Sequence, residues 1–400
     1  MVSKEYVVNE NDTLRGAKAG STLRASEAFQ GRAIVVLRSR SRVENLTIEG
    51  SGRKPRLPIA PYDRAFVDFY PENGIVAAGG QDITIRNVTM RNIANYAVLI
   101  SAFQHVTVDR VRITDSGSLN DKGRNNTSGG ILLEEGTSDF TVSNCTLRRI
   151  AGNGIWTHSR ETRNARGRIT GNRFEEIGRD AIQVGHATEV RVDFNTGTRI
   201  GYPPEIVDVE GGGTPVAVDT AGNVDHSVYA QNDFTEINGK CFDLDGFHDG
   251  EVMENVCRNQ RPATEYRFGH FGIVLNNTNR QMQSSGIRIE GNNIEGMKFG
   301  GLFLIGSGHT VRANRFLKLN RAGCNESHAK FGCIYNTKEP EILQSGIYLG
   351  AGAERPDIAR DNTIRENIIT GFKMAERCIG YSPAVDPKSN TVKDNVCQNQ

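Results

Sequence analysis

No stretch of ten or more residues in this sequence carries a helical period, and no apolar run outgrows a strand. The longest, such as Ala33-Ile34-Val35-Val36-Leu37, fall far short of the roughly 20 residues that a membrane span needs. Net charge is lacking too. Lys and Arg number 48 against 47 Asp and Glu, a formal +1, so no overall field draws in nucleic acid or an anionic membrane. Cys-x-x-Cys is absent, which argues against a zinc ribbon. No Gly-x-Ser-x-Gly elbow occurs. Gly211-Gly212-Gly213 lacks the strand–loop–helix setting of a phosphate site. The opening Met1-Val2-Ser3-Lys4-Glu5 shows no apolar signal region. Proline (12) and tryptophan (one) are scarce, while 44 glycines and many asparagines imply frequent tight turns.

What is present is repetition. A Gly-apolar-x-apolar pattern recurs at Gly74–Ala77, Gly130–Leu133, Gly154–Thr157, Ala181–Val184, Cys241–Leu244, Gly272–Leu275, Gly301–Leu304 and Gly346–Leu349. Between its copies runs a second pattern of alternating apolar residues followed by Asn, as in Ile83–Val88, Phe140–Cys145 and Ile287–Asn292. Weaker copies of the first, Tyr96–Ile100 and Pro215–Asp219, fill the two widest gaps. A period of 20–50 residues marks a solenoid, and the period here is that of strands. Short strands winding one way through Gly/Asn turns predict an all-β chain, a right-handed parallel β-helix of about 11–13 coils, as a single domain over residues 1–400. The Asn fits a turn, where it tolerates the left-handed conformation and stacks its amide on the next coil. Insertions near 54–63, 115–128, 160–166, 201–213 and 324–344 lengthen individual coils, and such insertions often wall a groove.

These patterns resemble the right-handed parallel β-helix proteins of the pectate-lyase-like superfamily, from about Thr13 to Gln400. That fold hosts lyases, hydrolases, epimerases and phage tailspikes, so the resemblance implies architecture more than activity.

Seven cysteines allow two readings. Cys241 with Cys257, Cys378 with Cys397, and Cys324 with Cys333 permit three bridges with Cys145 left over, which would imply an oxidising compartment. Alternatively Cys145, Cys257 and Cys397 are small core residues. The expected location is secreted or periplasmic, with the signal segment absent from this chain.

Stacking the coils about 4.8 Å apart brings equivalent strand positions together. One outward column reads Leu132, Trp156, Gln183, Ala217, Asp243, Val274, Phe303, Tyr348. Two residues on it reads Glu134, His158, Gly185, Asp219, Asp245, Asn276. Glu134 should therefore face His158, and Asp219 should face Asp245. Asp243 and Asp245 share a strand face in the stretch Lys240–Gly250, with His248 just beyond. Two carboxylates that close repel, so one holds a proton at a raised pKa or a cation such as Ca²⁺ lies between them. The expected catalytic set is Asp243, Asp245, Asp219, His248, His158 and Glu134. Trp156, Gln183, Arg179, Lys240, Asn276 and Tyr348 are expected to bind substrate. No other cofactor is implied.

The leading expectation is an enzyme on a poly- or oligosaccharide in a groove along the parallel sheet, cleaving as a glycosidase with the Asp residues as acid and base. The resemblance to the fold's hydrolases supports it, although the polygalacturonase motif set is missing. A lyase or epimerase on a uronate polymer is the second reading, needing a cation against the carboxylate and a basic side chain. A surface β-helix that only binds glycan is the third. The expected partner is a saccharide, with neither nucleic acid nor membrane, and the chain a monomer or homo-oligomer.

Overall fold

The computed structural model describes every residue except 18–19, 62–63, 126–127, 209–212, 279–281 and 325–341. Short parallel strands wind in coils, and each full coil has three faces, as the repeat predicts. Among the described residues the third face has thirteen strands, from Ser21–Arg24 to Val396–Asn399. Helix is confined to one turn at Phe66–Phe69 and a few 3₁₀ turns among the described residues. The chain divides into two compact units, residues 1–213 and 214–400, with seven and six coils respectively.

In the first unit the inward columns of the first face run Val35, Ile75, Val98, Ile131, Ile155, Ile182 and, beside it, Leu37, Ala77, Ile100, Leu133, Thr157, Val184. Each fully buried aliphatic side chain is worth roughly 1.5–3 kcal/mol relative to exposure. Thr157 fits this column because its hydroxyl accepts from Gly185 N–H at 2.9 Å. The second unit has the equivalent column Val218, Phe242, Ile273, Leu302, Ile347, Ile379.

The corner between the second and third faces explains the recurrent asparagine, and it divides that residue into two roles. One residue per coil takes the left-handed conformation there, and the next points inward. In early coils Asn45, Asn87 and Asn144 hold the left-handed position (φ 56°, 53° and 54°), and Leu46, Val88 and Cys145 fill the interior. Asn tolerates this conformation better than most residues. Later coils shift the asparagine by one. Gly171, Glu254, Gly291, Ala313, Glu366 and Asp394 adopt positive φ, and Asn172, Asn255, Asn292, Asn314, Asn367 and Asn395 point inward. There the amides form a ladder: Asn255 Nδ2 donates to Asn292 Oδ1 (2.9 Å), Asn292 to Asn314 (2.9 Å), Asn314 to Asn367 (3.0 Å) and Asn367 to Asn395 (2.9 Å). Each also donates to a backbone carbonyl of an adjoining coil, as Asn292 does to Val252 O. The ladder gives buried polar groups their partners.

Two disulfides match the spacing-based pairs, Cys241–Cys257 and Cys378–Cys397, and Cys145 is free and buried. Cys324 is also disulfide-bonded; Cys333, the partner expected for it, lies outside the described residues.

Candidate active site

The outward side of the first face carries the predicted residues, in two separate settings. In the first unit, Leu132 pairs with Trp156, Glu134 with His158, and Trp156 with Gln183, the stacking expected from sequence. The segment around the helical turn Phe66–Phe69 packs on this column, burying Val36, Val76, Leu99 and Leu132 with Val67, Tyr70 and Tyr96. Outward positions that are apolar in four successive coils have this as their cause: they are a second core. Glu134 is fully buried and accepts from the backbone N–H groups of Phe66 (3.0 Å) and Val67 (2.8 Å). Burial nevertheless pushes its carboxyl up to about 7, because two hydrogen bonds do not offset the lost hydration. The His158 ring stacks on Phe66 at 4.9 Å, Trp156 meets the same ring at 5.3 Å, and His186 lies 6.4 Å from His158. Burial, reinforced by His186, lowers His158 to about 4, so the imidazole is neutral at physiological pH. Glu134, His158 and Trp156 thus fasten Phe66 and Val67 to the coils. Gln183 accepts from Asn153 Nδ2 at 2.7 Å, and Arg179 lies 3.4 Å from Asp180 in the turn before its strand.

In the second unit the acids do converge, with a corrected register. Asp219 pairs with Asp243, not with Asp245, and Asp245 pairs with Asn276. The slip has a physical reason: Thr220, not Val218, is the counterpart of Leu244. Its buried hydroxyl is satisfied by Tyr229 Oη at 3.0 Å, so a polar residue fills a core position that an apolar pattern cannot reveal. Asp219 and Asp243 are 7% and 8% exposed. Asp243 Oδ2 is ion-paired with the Lys240 ammonium, whereas its Oδ1 is buried without a hydrogen-bond partner among the described residues. Asp245, half-buried, accepts from Thr278 N–H (2.8 Å) and from its hydroxyl (2.6 Å). Burial outweighs these bonds and raises the Asp245 pKa, with the Asp243 charge adding to the rise and Lys240 opposing it.

Gly246, at φ 72°, ends this strand and turns the chain onto the second face. There His248 pairs with Asp225, its Nε2 3.7 Å from Asp225 Oδ2, around the bend from the acids. Tyr348 is buried and stacked on Phe303 at 6.2 Å, in a wall that continues to Phe271. Among the described residues no group of three or more His, Cys, Asp or Glu is arranged to hold a metal ion. Sequence reasoning missed Thr278 and Asp225. Thr278 follows the Asn276-Asn277 pair and carries no pattern of its own. Asp225 could have been found from its place opposite His248, had the register of that coil been read correctly.

Residues 32–219 match a family model described as a right handed beta helix region. No curated protein matches the sequence. Among solved structures, the Dettilon tailspike protein superposes with a TM-score of 0.58 at 13% identity, over 97% of this chain and 62% of the tailspike. A DFA-IIIase from Arthrobacter chlorophenolicus A6 in complex with GF2 gives 0.51 at 11% identity, over 93% and 74%. The GH136 lacto-N-biosidase from Eubacterium ramulus gives 0.48 at 11%, over 98% and 61%. The chain therefore spans under two thirds of the tailspike and of the lacto-N-biosidase. At these identities the likeness is one of fold. By its coils the chain has the fold of a right-handed parallel β-helix, and the matched region agrees with it.

Proposed function

We propose that this protein cleaves a glycosidic bond of a poly- or oligosaccharide at the acid strip Asp219, Asp243 and Asp245. The observation that carries the reading is the side-by-side placement of Asp219 and Asp243 on adjacent coils, both nearly buried, with Asp245 two residues along the same face. Like charges held this close have no purely structural benefit, and two carboxylates in different environments divide acid and base roles. Asp245, whose pKa is raised by burial, is the general acid that protonates the leaving oxygen. Asp243, paired with Lys240 and with one oxygen unengaged among the described residues, is the base or nucleophile, and Asp219 stands opposite it on the adjacent coil. Asn276 and Thr278 line the same strip and orient the sugar or the acid. The likeness in fold to the DFA-IIIase in complex with GF2 is in keeping with a carbohydrate partner. Two disulfides agree with a secreted or periplasmic location.

The experiment is a screen of purified protein on neutral and acidic polysaccharides, reading reducing ends together with the ultraviolet absorbance of an unsaturated product. Reducing ends without that absorbance, lost in Asp245→Asn, are the expected result. Absorbance would replace hydrolysis by elimination. Binding without turnover in both proteins would make the strip a glycan-binding surface.

A further inference from the structure

Lys54 and Arg56, Asp115 to Leu119, and Tyr202, Pro203 and Ile206, scattered in sequence, meet in the first unit around a cavity of about 590 Å³. This lies within the range of about 300–1,000 Å³ usual for small-ligand sites. Its wall is largely apolar, formed by Leu119, Ile150, Ala151, Pro203, Ile206 and the nearly buried ring of Tyr202.

Its rim is charged in an ordered way. Asp115, Arg149, Glu176 and Arg199 come from successive coils, each in the left-handed conformation (φ 58°, 51°, 56° and 59°) near the end of a third-face strand. Their signs alternate. Asp115 takes Arg149 Nε and Nη2 at 2.6 and 2.7 Å, and Glu176 takes Arg199 Nε at 3.2 Å. The Arg199 guanidinium is held over the Tyr202 ring, 4.6 Å from its centroid. Lys54 donates to the carbonyls of Ile93, Asp115 and Gly117 and so ties one insertion to the turns of two coils. This enclosure lowers its pKa to about 8.

Donors remain. Arg149 Nη1, both terminal nitrogens of Arg199 and the whole Arg56 guanidinium carry no hydrogen bond among the described residues. Four cations against two carboxylates line one apolar-walled space. Guanidinium forks match the geometry of an anionic group, and an apolar wall suits the C–H face of a pyranose. We infer that this cavity is a binding site for a sugar unit bearing one anionic group, a carboxylate or a sulfate, distinct from the acid strip of the second unit.

The test uses a matched set of glucuronate, glucose 6-sulfate and glucose, read by ligand-observed saturation-transfer NMR and calorimetry on the full chain. The proposal expects saturation from one or both anionic sugars, none of comparable strength from glucose, and weakening by added salt. Which anion binds better identifies the group. Arg199→Ala and Arg56→Ala should each weaken binding about tenfold or more, the size of one lost charge-assisted contact. Arg56 makes no hydrogen bond among the described residues, so its variant tests the site without endangering the fold. Asp243→Asn should leave this binding intact whether or not it abolishes turnover, which separates the present inference from the function proposed above. Equal binding of glucose, no binding by either anionic sugar, or undiminished binding in both arginine variants would overturn it.

Discussion

Asp219 stands directly opposite Asp243 on adjacent coils, their strands in register, with Asp243 ion-paired to Lys240 on its own strand. Adjacent coils lie about 4.8 Å apart, so the two carboxylates are neighbours by construction of the solenoid. Removing either acid therefore changes the other's environment, and the variants should not act additively. Asp243→Asn and Asp219→Asn should each lower kcat by about 10²–10⁴-fold on a cleaved glycan, and the double variant should cost little more than the worse single. A second signature is the pH profile. Because burial raises Asp245, its proton is retained to higher pH than an ordinary aspartic acid's, and the alkaline limb of kcat should reflect its loss. Asp245→Asn should abolish that limb along with most of the activity. Independent, additive effects of Asp219 and Asp243 would separate them into different roles.

The Glu134–His158 pair should leave a divided imprint on stability against pH. Glu134 rises from an ordinary 4.5 to about 7, so the folded state holds its proton more tightly than the unfolded chain. Its contribution is complete below about 4.5 and is lost as pH rises through 7. His158 falls from 6.5 to about 4, so its contribution is complete above 6.5 and is lost as pH falls through 4. Between 4.5 and 6.5 the two slopes oppose. Glu134→Gln should gain on the wild type as pH rises from 5 to 8, by at most about 3 kcal/mol. His158→Gln should gain on it as pH falls below 6.5. Urea unfolding of the three proteins across this range measures both, and parallel curves would mean that neither group titrates with folding.

How far the sequence could be read follows from what each residue repeats. The coils were legible because Ile75, Ile131, Ile155 and Ile182 recur at one inward position. The pairings Glu134–His158 and Asp245–Asn276 followed from that column. Asp219 was displaced by one pair because Thr220 is a core residue without an apolar side chain. The cover over Trp156 was invisible, since Phe66 comes from an irregular insertion with no period to align. The alternating Asp115, Arg149, Glu176 and Arg199 did repeat with the coils, each one residue before an Ile or, for Asp115, a Ser. That signal lay in charge, and a reading by hydrophobic period passes over it.

Phe194 occupies the left-handed corner position at φ 54°, which Asn144 and Gly171 fill in the preceding coils, and it is 50% exposed. A bulky residue in this conformation costs roughly 1–2 kcal/mol, and its exposed ring recovers little. Phe194→Asn should therefore stabilise the chain by about 1 kcal/mol, since Asn adopts the left-handed region readily. The expected readout is a higher denaturant midpoint at unchanged slope. A lower midpoint would show that the ring packs on something worth more than the strain.

Cys145 and Asn292 occupy equivalent inward slots in different coils, yet their replacement should have opposite consequences. Asn292 Oδ1 accepts from Asn255 N–H and Nδ2 (3.0 and 2.9 Å), and its own amide donates to Asn314 Oδ1 and Val252 O. Asn292→Leu strands those groups in a dry interior and should cost about 2–5 kcal/mol. Cys145 stands where the ladder stops: its N–H already donates to Asn172 Oδ1 at 2.9 Å, and its thiol, pushed up to about 12 by burial, points at Val108 O at 3.8 Å. These are the two acceptors an inward amide uses elsewhere in the ladder, as Asn172 does with Asn195 Oδ1 and Val142 O. Cys145→Asn should thus extend the ladder by one coil with no loss of stability, despite placing a polar group in the core. A loss of several kcal/mol in Cys145→Asn, measured beside Asn292→Leu by equilibrium unfolding, would show that the early coils exclude the amide by shape and not by want of partners.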